Sequence, residues 1–509
     1  MRAWDLNLTL DSTAELPIFL RIARAISNEI RRHRLRPGDP LPGSRTLARA
    51  LQVHRNTILA AYTELVQEGW IETKQAGGTF VSRTLPDARP RRVAGMRASR
   101  PQPRATAGFD LRPGLDNGGA PVVAPSFLER AVADCAPFPR GTLNMANGIP
   151  DPRLIPSAAL ARAYRRAVCV RGSSALDYGD PRGHPRLRSA LAEMLSATRG
   201  IAATADSLVV TRGSQMGIDL AARALLGPGD AVAVEELGYS SAWASLRISG
   251  ARLIPVPVDR EGLQINALEK IAAREELRAI YLTPHHQYPT MAVLSPGRRL
   301  QLMDLARRNR FAILEDDYDH EFHYQGRPVL PLASDDPGGV VIYVGTLSKI
   351  LAPGIRLGFV VAPAPLLERI VQLRTLSDRQ GDLAIEGAVA EMLEDGEVQR
   401  HARRVRRINE SRRATLIDAL KKHLGSVLSF ELPSGGVALW ARVAEDVDVD
   451  RWVARALAMK VGFASGREFD FQGLPRPFAR LAFSRHSEAE LQEGVRRMVS
   501  ALPSRRLSS

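Results

Sequence analysis

Apolar positions along the chain follow two different periods. Near the N-terminus they recur every three or four residues. Leu20, Ile22, Ala23, Ile26 and Ile30 share one face of a first predicted helix. The pattern stops at Leu35-Arg36-Pro37-Gly38-Asp39, a turn in which proline fixes φ and glycine relaxes it. Ser44 stands at the N-cap position of a second helix through Leu47, Ala48 and Leu51. After Gln52-Val53 a third helix is expected from Arg55 to about Glu68, ended by Gly69. Ile71-Glu72-Thr73 and Thr79-Phe80-Val81 read as short strands joined around Gly77-Gly78, the chemistry of a tight hairpin.

From about residue 138 the pattern changes. The short β-rich runs SLVVTRG, DAVAVEE, ARLIPVPVD, LRAIYLTP, FAILEDD, VVIYVGTLS and GFVVAP are separated, for the most part, by long helical stretches. Strands alternating with helices predict a mostly parallel sheet covered on both faces. Between the two patterns, residues 84–137 are rich in Pro, Arg, Gly and Ala with little apolar periodicity, and read as a linker that prolines stiffen and like charges keep open. The expected organisation is a module at 12–83, a linker at 84–137 and an α/β module at 138–505. The larger part of that α/β module is expected at about 190–395, with a smaller part built from the flanking segments. No internal repeat is visible.

At 509 residues the chain has room for about three folding units. No run approaches the roughly 18–20 apolar residues of a membrane span, and the opening MRAWDLNLTLDSTAELP lacks the pattern of a secretory signal. Two cysteines, Cys135 and Cys169, exclude a disulfide framework and a multi-cysteine zinc site, and fit a reducing cytoplasm. Net charge is +15, and residues 1–104 hold 18 Lys and Arg against 9 Asp and Glu. A basic N-terminal block points to a polyanion, nucleic acid first. Only six residues are lysines: Lys74, Lys270, Lys349, Lys421, Lys422 and Lys460.

Helix, short helix, turn, helix and hairpin is the winged helix-turn-helix order, whose third helix lies in the major groove of DNA with its first residues toward base edges. Here those are His54, Arg55, Asn56 and Thr57. Arginine pairs bidentately with guanine, asparagine with adenine, and a threonine methyl meets thymine. Arg45 suits a phosphate or a base edge, and Gly77-Gly78 lets the wing backbone approach the minor groove. The tokens LRPGDPLPGSRTLA, VHRNT, AYTELVQEGW and GGTFV resemble the DNA-binding domain of GntR-type bacterial regulators. That resemblance implies operator binding as a dimer.

The α/β module carries a different chemistry. Lys349 follows an apolar strand and the small-residue turn Gly345-Thr346-Leu347-Ser348. A lysine that forms a Schiff base must deprotonate, so it needs a desolvated or cation-flanked pocket. Arg356 and the Thr346 hydroxyl suit a phosphate. The strand FAILE runs into Asp316, Asp317 and Tyr318: a carboxylate keeps a pyridine nitrogen protonated, and a phenol hydrogen-bonds a ring oxygen. Pyridoxal phosphate needs all of these. Gly213-Ser214-Gln215 follow the strand SLVV and open a long helix, whose N-terminus favours a phosphate. Tyr239 is placed to stack on a flat ring.

Together these motifs resemble an α/β fold-type-I PLP-dependent aminotransferase, over about residues 140–505. The resemblance implies roles residue by residue: Lys349 as Schiff-base lysine, Asp316 as pyridinium partner (Asp317 is one place away), and Tyr318 as donor to the 3-oxygen. It makes Gly213, Ser214, Gln215, Thr346 and Arg356 the phosphate cradle, with Ser348 adding a contact, and Tyr239 the stacking ring. Tyr178, in YGDPRGHPRLRSAL, matches the tyrosine that reaches the partner subunit's phosphate. Arg480, in FARLAFS, matches the arginine that clamps a substrate carboxylate.

The chain departs from the family where common members have Asn-Pro-Thr-Gly. Here Tyr288-Pro289-Thr290-Met291 follows His286-Gln287, so Tyr288 replaces the Asn and Met291 the Gly. His285 and His286 show no partnered metal-ligand spacing, and no metal is expected. The His-Gln-aromatic-Pro-Thr pattern resembles the MocR/GabR subgroup, which fuses the same two modules in the same order. That implies a regulator in which the aminotransferase-like body senses an amine, an amino acid or pyridoxal phosphate through Lys349 and controls binding to double-stranded operator DNA. It also implies a homodimer, head-to-tail and domain-swapped. The alternative is a working aminotransferase with a DNA-binding appendage.

Overall fold

The computed structural model describes residues 18–31, 34–67, 69–74, 78–83, 138–171, 175–324 and 329–503. The expected linker, with Arg89, Arg91, Arg92 and Arg97, lies outside the described residues, as does Gly77. The chain divides into two compact units, here a head and a body.

The head contains α1 (Ile18–Arg31), α2 (Ser44–Ala50), α3 (Arg55–Gln67) and the strands β1 (Ile71–Lys74) and β2 (Gly78–Val81). Ile22, Ile26, Ile30, Leu47, Ile58 and Leu65 pack with Trp70 and Val81 into one core. Burial of each aliphatic side chain contributes about 1.5–3 kcal/mol. The antiparallel wing pairs Ile71 with Val81 and Lys74 with Gly78, and Gly78 has φ +95°, which suits glycine. The 37–41 turn is tied to the wing: Gly38 N–H donates to Val81 O at 2.9 Å and Leu41 N–H to Thr79 O at 2.7 Å. One expectation is corrected. Gly43, not Ser44, caps α2, and Ser44 is its first helical residue. A glycine cap costs little, and it releases the Ser44 hydroxyl to accept Arg55 Nε at 3.3 Å, which joins α2 to the start of α3.

All seven predicted body strands form. They are β3 (Leu208–Thr211), β4 (Ala231–Glu235), β5 (Arg252–Val256), β6 (Leu277–Leu282), β7 (Ala312–Asp317), β8 (Val341–Thr346) and β9 (Gly358–Val361). They join one sheet in the order β3-β9-β8-β7-β6-β4-β5. Only β9 runs against its neighbours. Strands β3, β4 and β8 are buried throughout, which explains why they read as continuous apolar runs. The parallel strands therefore end on one edge, at Thr211, Glu235, Leu282, Asp317 and Thr346. Because β9 is antiparallel, its first residue, Gly358, lies at that same edge beside Thr211 and Thr346. Crevices outside the carboxyl ends of parallel strands are where open α/β sheets bind ligands.

A second, antiparallel sheet contains β10 (Leu428–Ser429), β11 (Ala438–Val443), β12 (Ala464–Ser465) and β13 (Phe478–Ala482), in the order β10-β11-β13-β12. Its core gathers Leu416, Leu420, Trp452, Leu481, Phe483 and Leu491, together with Met145 from the segment before the large sheet. Among the described residues no helix is long and apolar enough to cross a membrane.

Candidate cofactor site and DNA-reading surface

Lys349 sits just past the C-terminal end of β8. The strand runs through Gly345-Thr346, so the turn itself begins at Leu347. Lys349 Nζ donates to Gly148 O at 2.8 Å. Burial, and then the positive charge of Arg480, press its pKa down to about 8 against the pull of Asp319 and Asp316. An amine so placed is deprotonated in a useful fraction at neutral pH, which a nucleophile toward an aldehyde requires.

Asp316 lies on the neighbouring strand end, opposite Val344 in register. Its Oδ2 accepts the Tyr281 hydroxyl at 2.8 Å, while the buried Oδ1 has no hydrogen-bond partner. Burial raises its pKa to about 7, opposed by the Tyr281 hydrogen bond. A buried acceptor left unmade costs about 1–3 kcal/mol, and a cationic ring N–H would satisfy this one. The Tyr318 hydroxyl donates to His286 O at 3.0 Å, and burial holds the phenol well above its ordinary pKa. Asp317 points the other way. It accepts the Tyr343 hydroxyl at 2.6 Å and lies 3.0 Å from His320 Nδ1 and 3.9 Å from Arg199. Burial favours its neutral form, but His320 and Arg199 outweigh burial and hold the carboxyl well below its usual range. Each acid keeps a buried Oδ1 without a partner, but Asp317 is engaged by His320 and Arg199, whereas Asp316 meets only the Tyr281 hydroxyl and acts electrostatically on Lys349.

The loop after β3 forms a small cradle. Gly213 has φ +79° and caps the helix Ser214–Leu225 without a side-chain hydrogen bond, so the first-turn N–H groups stay available. The space above it is tight. A Cβ on Gly213 would lie 3.0 Å from Arg356 Nη2, and one on Gly358 would lie 2.5 Å from Gly213 C and 2.7 Å from Ser214 N. Arg356, itself at φ +51°, donates to Arg212 O at 2.8 Å. Thr346 Oγ1 accepts Ser348 N–H at 3.1 Å, and the buried Ser348 Oγ has no partner. Gln215 spends its amide donors on Ser241 O and Ser245 Oγ, at 3.0 and 2.9 Å, so its main-chain N–H is what it can offer an anion. Backbone donors, hydroxyls and one guanidinium converge here, a set that suits a phosphate. With the Asp316 oxygen and the Lys349 amine, these residues fit pyridoxal phosphate.

Aromatic rings gather beside Arg480. Tyr288 meets Tyr239, Tyr318 and Phe469 edge to face, at centroid distances of 5.8, 5.9 and 5.4 Å. The Arg480 guanidinium lies 4.7 Å from the Tyr288 ring centroid. Arg480 is 1% exposed; its Nη1 donates to Ala146 O at 2.8 Å and its Nε has no partner. A buried cation with an unspent donor suits a carboxylate. Met291 explains its own oddity. Its φ is +64°, the left-handed region where family members have glycine, and its buried side chain packs on Ala438 and Ala482.

Tyr178 stands apart. It is 74% exposed, with Arg379 4.0 Å over its ring. Several site neighbours escaped the sequence reading: Tyr281, Gly148, and Asp319, which is bonded to His286 Nδ1 at 2.8 Å. His285 stacks on His320 at 4.6 Å. Among the described residues no group of His, Cys, Asp and Glu is arranged to hold a metal.

In the head, Arg45, His54, Arg55 and Asn56 are exposed and Thr57 is half-buried. Asn56 N–H donates to His54 Nδ1 at 3.3 Å. Arg55 uses Nε on Ser44 and stands exposed at the start of α3.

Comparison with known proteins agrees with both halves. The family described as "Aminotransferase class I and II" matches residues 141–498, and "Bacterial regulatory proteins, gntR family" matches residues 19–81. The chain is 30% identical to the probable rhizopine catabolism regulatory protein MocR of Rhizobium meliloti, over 97% of this chain and 95% of that one. It is 32% identical to the HTH-type transcriptional regulator TauR of Rhodobacter capsulatus, over 95% and 96%. Among solved structures, the alpha-aminoadipate aminotransferase of Thermus thermophilus, complexed with N-(5'-phosphopyridoxyl)-L-leucine, overlays with a TM-score of 0.68 at 28% identity. That overlay covers 74% of this chain and 96% of that one. The chain belongs to the MocR/GabR subfamily of GntR-type transcriptional regulators, in which a DNA-binding winged helix-turn-helix is fused to an aminotransferase-type, pyridoxal-phosphate-dependent domain.

Proposed function

We propose that the body holds pyridoxal phosphate through Lys349 and uses it to sense a small primary amine or amino acid, or the cofactor itself, and that the outcome sets the affinity of the head for operator DNA. When bound, the cofactor supplies an aldehyde for a primary amine and a protonated ring that draws electrons. Lys349 would deliver the neutral amine, Asp316 Oδ1 would take the ring N–H, and Tyr318 would turn its hydroxyl from His286 O to the ring 3-oxygen. Tyr239 and Tyr288 line the ring. Gly213, Ser214, Gln215, Thr346, Ser348 and Arg356 hold the phosphate, and Arg480 takes the effector carboxylate. The observation that carries this reading is the free, buried Asp316 oxygen beside a lysine whose pKa is pressed to about 8. Arg45, His54, Arg55, Asn56, Thr57, Gly77 and Gly78 are the DNA-facing residues.

We further propose a cytoplasmic homodimer, head-to-tail and domain-swapped. Tyr178 at 74% exposure, Leu176 at 72% and Leu376 at 86% are large apolar side chains facing outward on this chain, as a contact with a second copy requires. A ligand shifts the regulator only if it binds two conformations unequally. The test is a visible-absorption titration of the purified protein with candidate amines and amino acids, run beside binding to DNA from its own promoter region. One compound should change both the spectrum and the DNA affinity. Steady turnover of an amino donor and a keto acid at ordinary enzymatic rates, with DNA binding indifferent to every amine, would overturn the sensor reading in favour of a working aminotransferase.

A further inference from the structure

The charge of the body is concentrated on one helix. The chain's +15 less the +9 of residues 1–104 leaves +6 for residues 105–509. The 28-residue helix Glu397–Leu424 alone carries nine Lys and Arg against three Asp and Glu, which is also +6. Two of its arginines are internal braces: Arg412 bonds Asp151 and Ser484 O, and Arg413 bonds Pro433 O. Four others, Arg400, Arg403, Arg404 and Arg407, are exposed.

Their spacing is i, i+3, i+4 and i+7, so they form one stripe on one face. Arg400 has Glu397 at 3.0 Å. Among the described residues no carboxylate forms an ion pair with Arg403, Arg404 or Arg407. Like charges stacked at i+3 and i+4 work against the helix, and among the described residues no ion pair offsets that at these three positions. From Arg403 to Arg407 the unpaired part of the stripe spans roughly 6 Å at 1.5 Å per residue, about two steps of the ~3.4 Å of axis per phosphate on each DNA strand. It therefore matches about three consecutive phosphates, and guanidinium is the group best shaped for them.

We infer that Arg403, Arg404 and Arg407 form a second DNA-contacting surface, on the aminotransferase-type body, which binds the phosphate backbone without reading sequence. Charge complementarity names the occupant, and the head supplies it. DNA held at α3 is tethered to the body by a segment of about 54 residues (84–137), which spans at most roughly 180 Å. The inference goes beyond the regulator reading and rests on it only for the head that presents the DNA.

The test measures binding of the full-length, cofactor-loaded protein to a 60-base-pair duplex of arbitrary sequence across a salt series. The triple variant Arg403→Gln, Arg404→Gln, Arg407→Gln is compared with a control triple, Lys270→Gln, Lys421→Gln, Lys422→Gln, which removes the same charge outside the stripe, at Lys270 and in the last turn of the same helix. Each lost phosphate contact should flatten the log–log salt slope by about 0.9. The arginine variant should therefore lose roughly 2 to 3 of slope and bind about tenfold more weakly at low salt, with its cofactor absorbance and melting temperature unchanged. The lysine control should keep the wild-type slope. Equal slopes for both triples and wild type overturn the inference. So does an arginine variant that keeps its DNA slope and instead loses binding to vesicles of anionic phospholipid. Failure of the operator reading shows elsewhere: Arg55→Ala with Asn56→Ala would leave promoter binding intact.

Discussion

Asp316 and Asp317 are adjacent on one strand and take their hydrogen bonds from opposite sides, Asp316 from Tyr281 at 2.8 Å and Asp317 from Tyr343 at 2.6 Å. The alternation of side chains along a strand sends the two carboxyls to opposite sides, and we expect their roles to differ accordingly. Asp316→Asn should lower pyridoxal phosphate affinity at least tenfold while leaving the melting temperature of the cofactor-free protein almost unchanged or higher. Asp317→Asn should do the reverse. It removes the carboxylate between buried Arg199 and His320, at a cost on the order of 3 kcal/mol. Absorbance titration and thermal melting of the two variants check this, and equal effects on both readouts would defeat the assignment.

The raised carboxyl at Asp316 also has a pH consequence. Its folded pKa of about 7 lies above the ordinary 3.8, so between those values the folded chain binds a proton that the unfolded chain has released. Glu235 and Glu315 are likewise pushed up to about 7 by burial. These groups stabilise the cofactor-free protein on the acid side, and that contribution is lost as pH rises from about 4 through 7. His285, His323, His401 and His486, held below their usual range chiefly by burial, act in the opposite sense. The readout is therefore the difference: the melting temperature of Asp316→Asn relative to wild type should rise with pH across that range. The same pH dependence in both proteins would contradict it.

Lys349 makes a kinetic prediction. With a pKa of about 8, about a tenth of the amine is neutral at pH 7, whereas an ordinary lysine is almost wholly protonated there. Covalent capture of pyridoxal phosphate by the cofactor-free protein should therefore quicken about tenfold per pH unit and level off above about 8. Arg480→Gln, which removes a nearby positive charge, should move that plateau upward. Lys349→Ala should abolish the pyridoxyl mass on the 349 peptide after borohydride reduction. Capture that keeps accelerating beyond pH 9.5 would mean the amine is not perturbed.

Met291 supplies a prediction about stability alone. Glycine at φ +64° would relieve roughly 1–2 kcal/mol of left-handed strain. Removing a buried methionine from Ala438 and Ala482 costs about 2–5 kcal/mol. Met291→Gly should thus be net destabilising by about 1–3 kcal/mol, read by denaturant unfolding. A more stable variant would mean that packing at 291 counts for little.

Much of this architecture is legible in the chain, for identifiable reasons. Strands β3, β4 and β8 are buried on both faces and so appear as unbroken apolar runs, and α1 shows its face through Ile22, Ile26 and Ile30. Lys349, Arg356 and Asp316 announce themselves because their chemistry is tied to short local motifs. What stays hidden depends on partners far apart in sequence. Arg199 reaches Tyr343 and Glu321, Asp316 leans on Tyr281, and Gly358 presses on Gly213. No periodicity encodes those pairings. The cap at Gly43 escapes for a different reason, since serine is the better intrinsic cap and the Ser44 hydroxyl instead meets Arg55, a partner eleven residues on.

The head offers the sharpest separation between reading and holding. Arg55 and Asn56 open α3, exposed, with Arg55 steadied through Nε by Ser44. If these side chains reach base edges, Arg55→Ala and Asn56→Ala should each cost about 1–3 kcal/mol on the operator and relax preference at one base position. Arg45, exposed at the second position of α2, is the phosphate candidate among them. Arg45→Ala should weaken every sequence alike and reduce the salt slope by about 0.9. Ser44→Ala should fall between, because it frees Arg55 without removing it, giving a modest affinity loss with the base preference intact. Binding measured on the operator and on single-base variants, each at several salt concentrations, distinguishes the three. If Arg55→Ala lowers affinity uniformly across those sequences, Arg55 contacts backbone rather than base, and the reading of α3 must shift to Asn56 and Thr57.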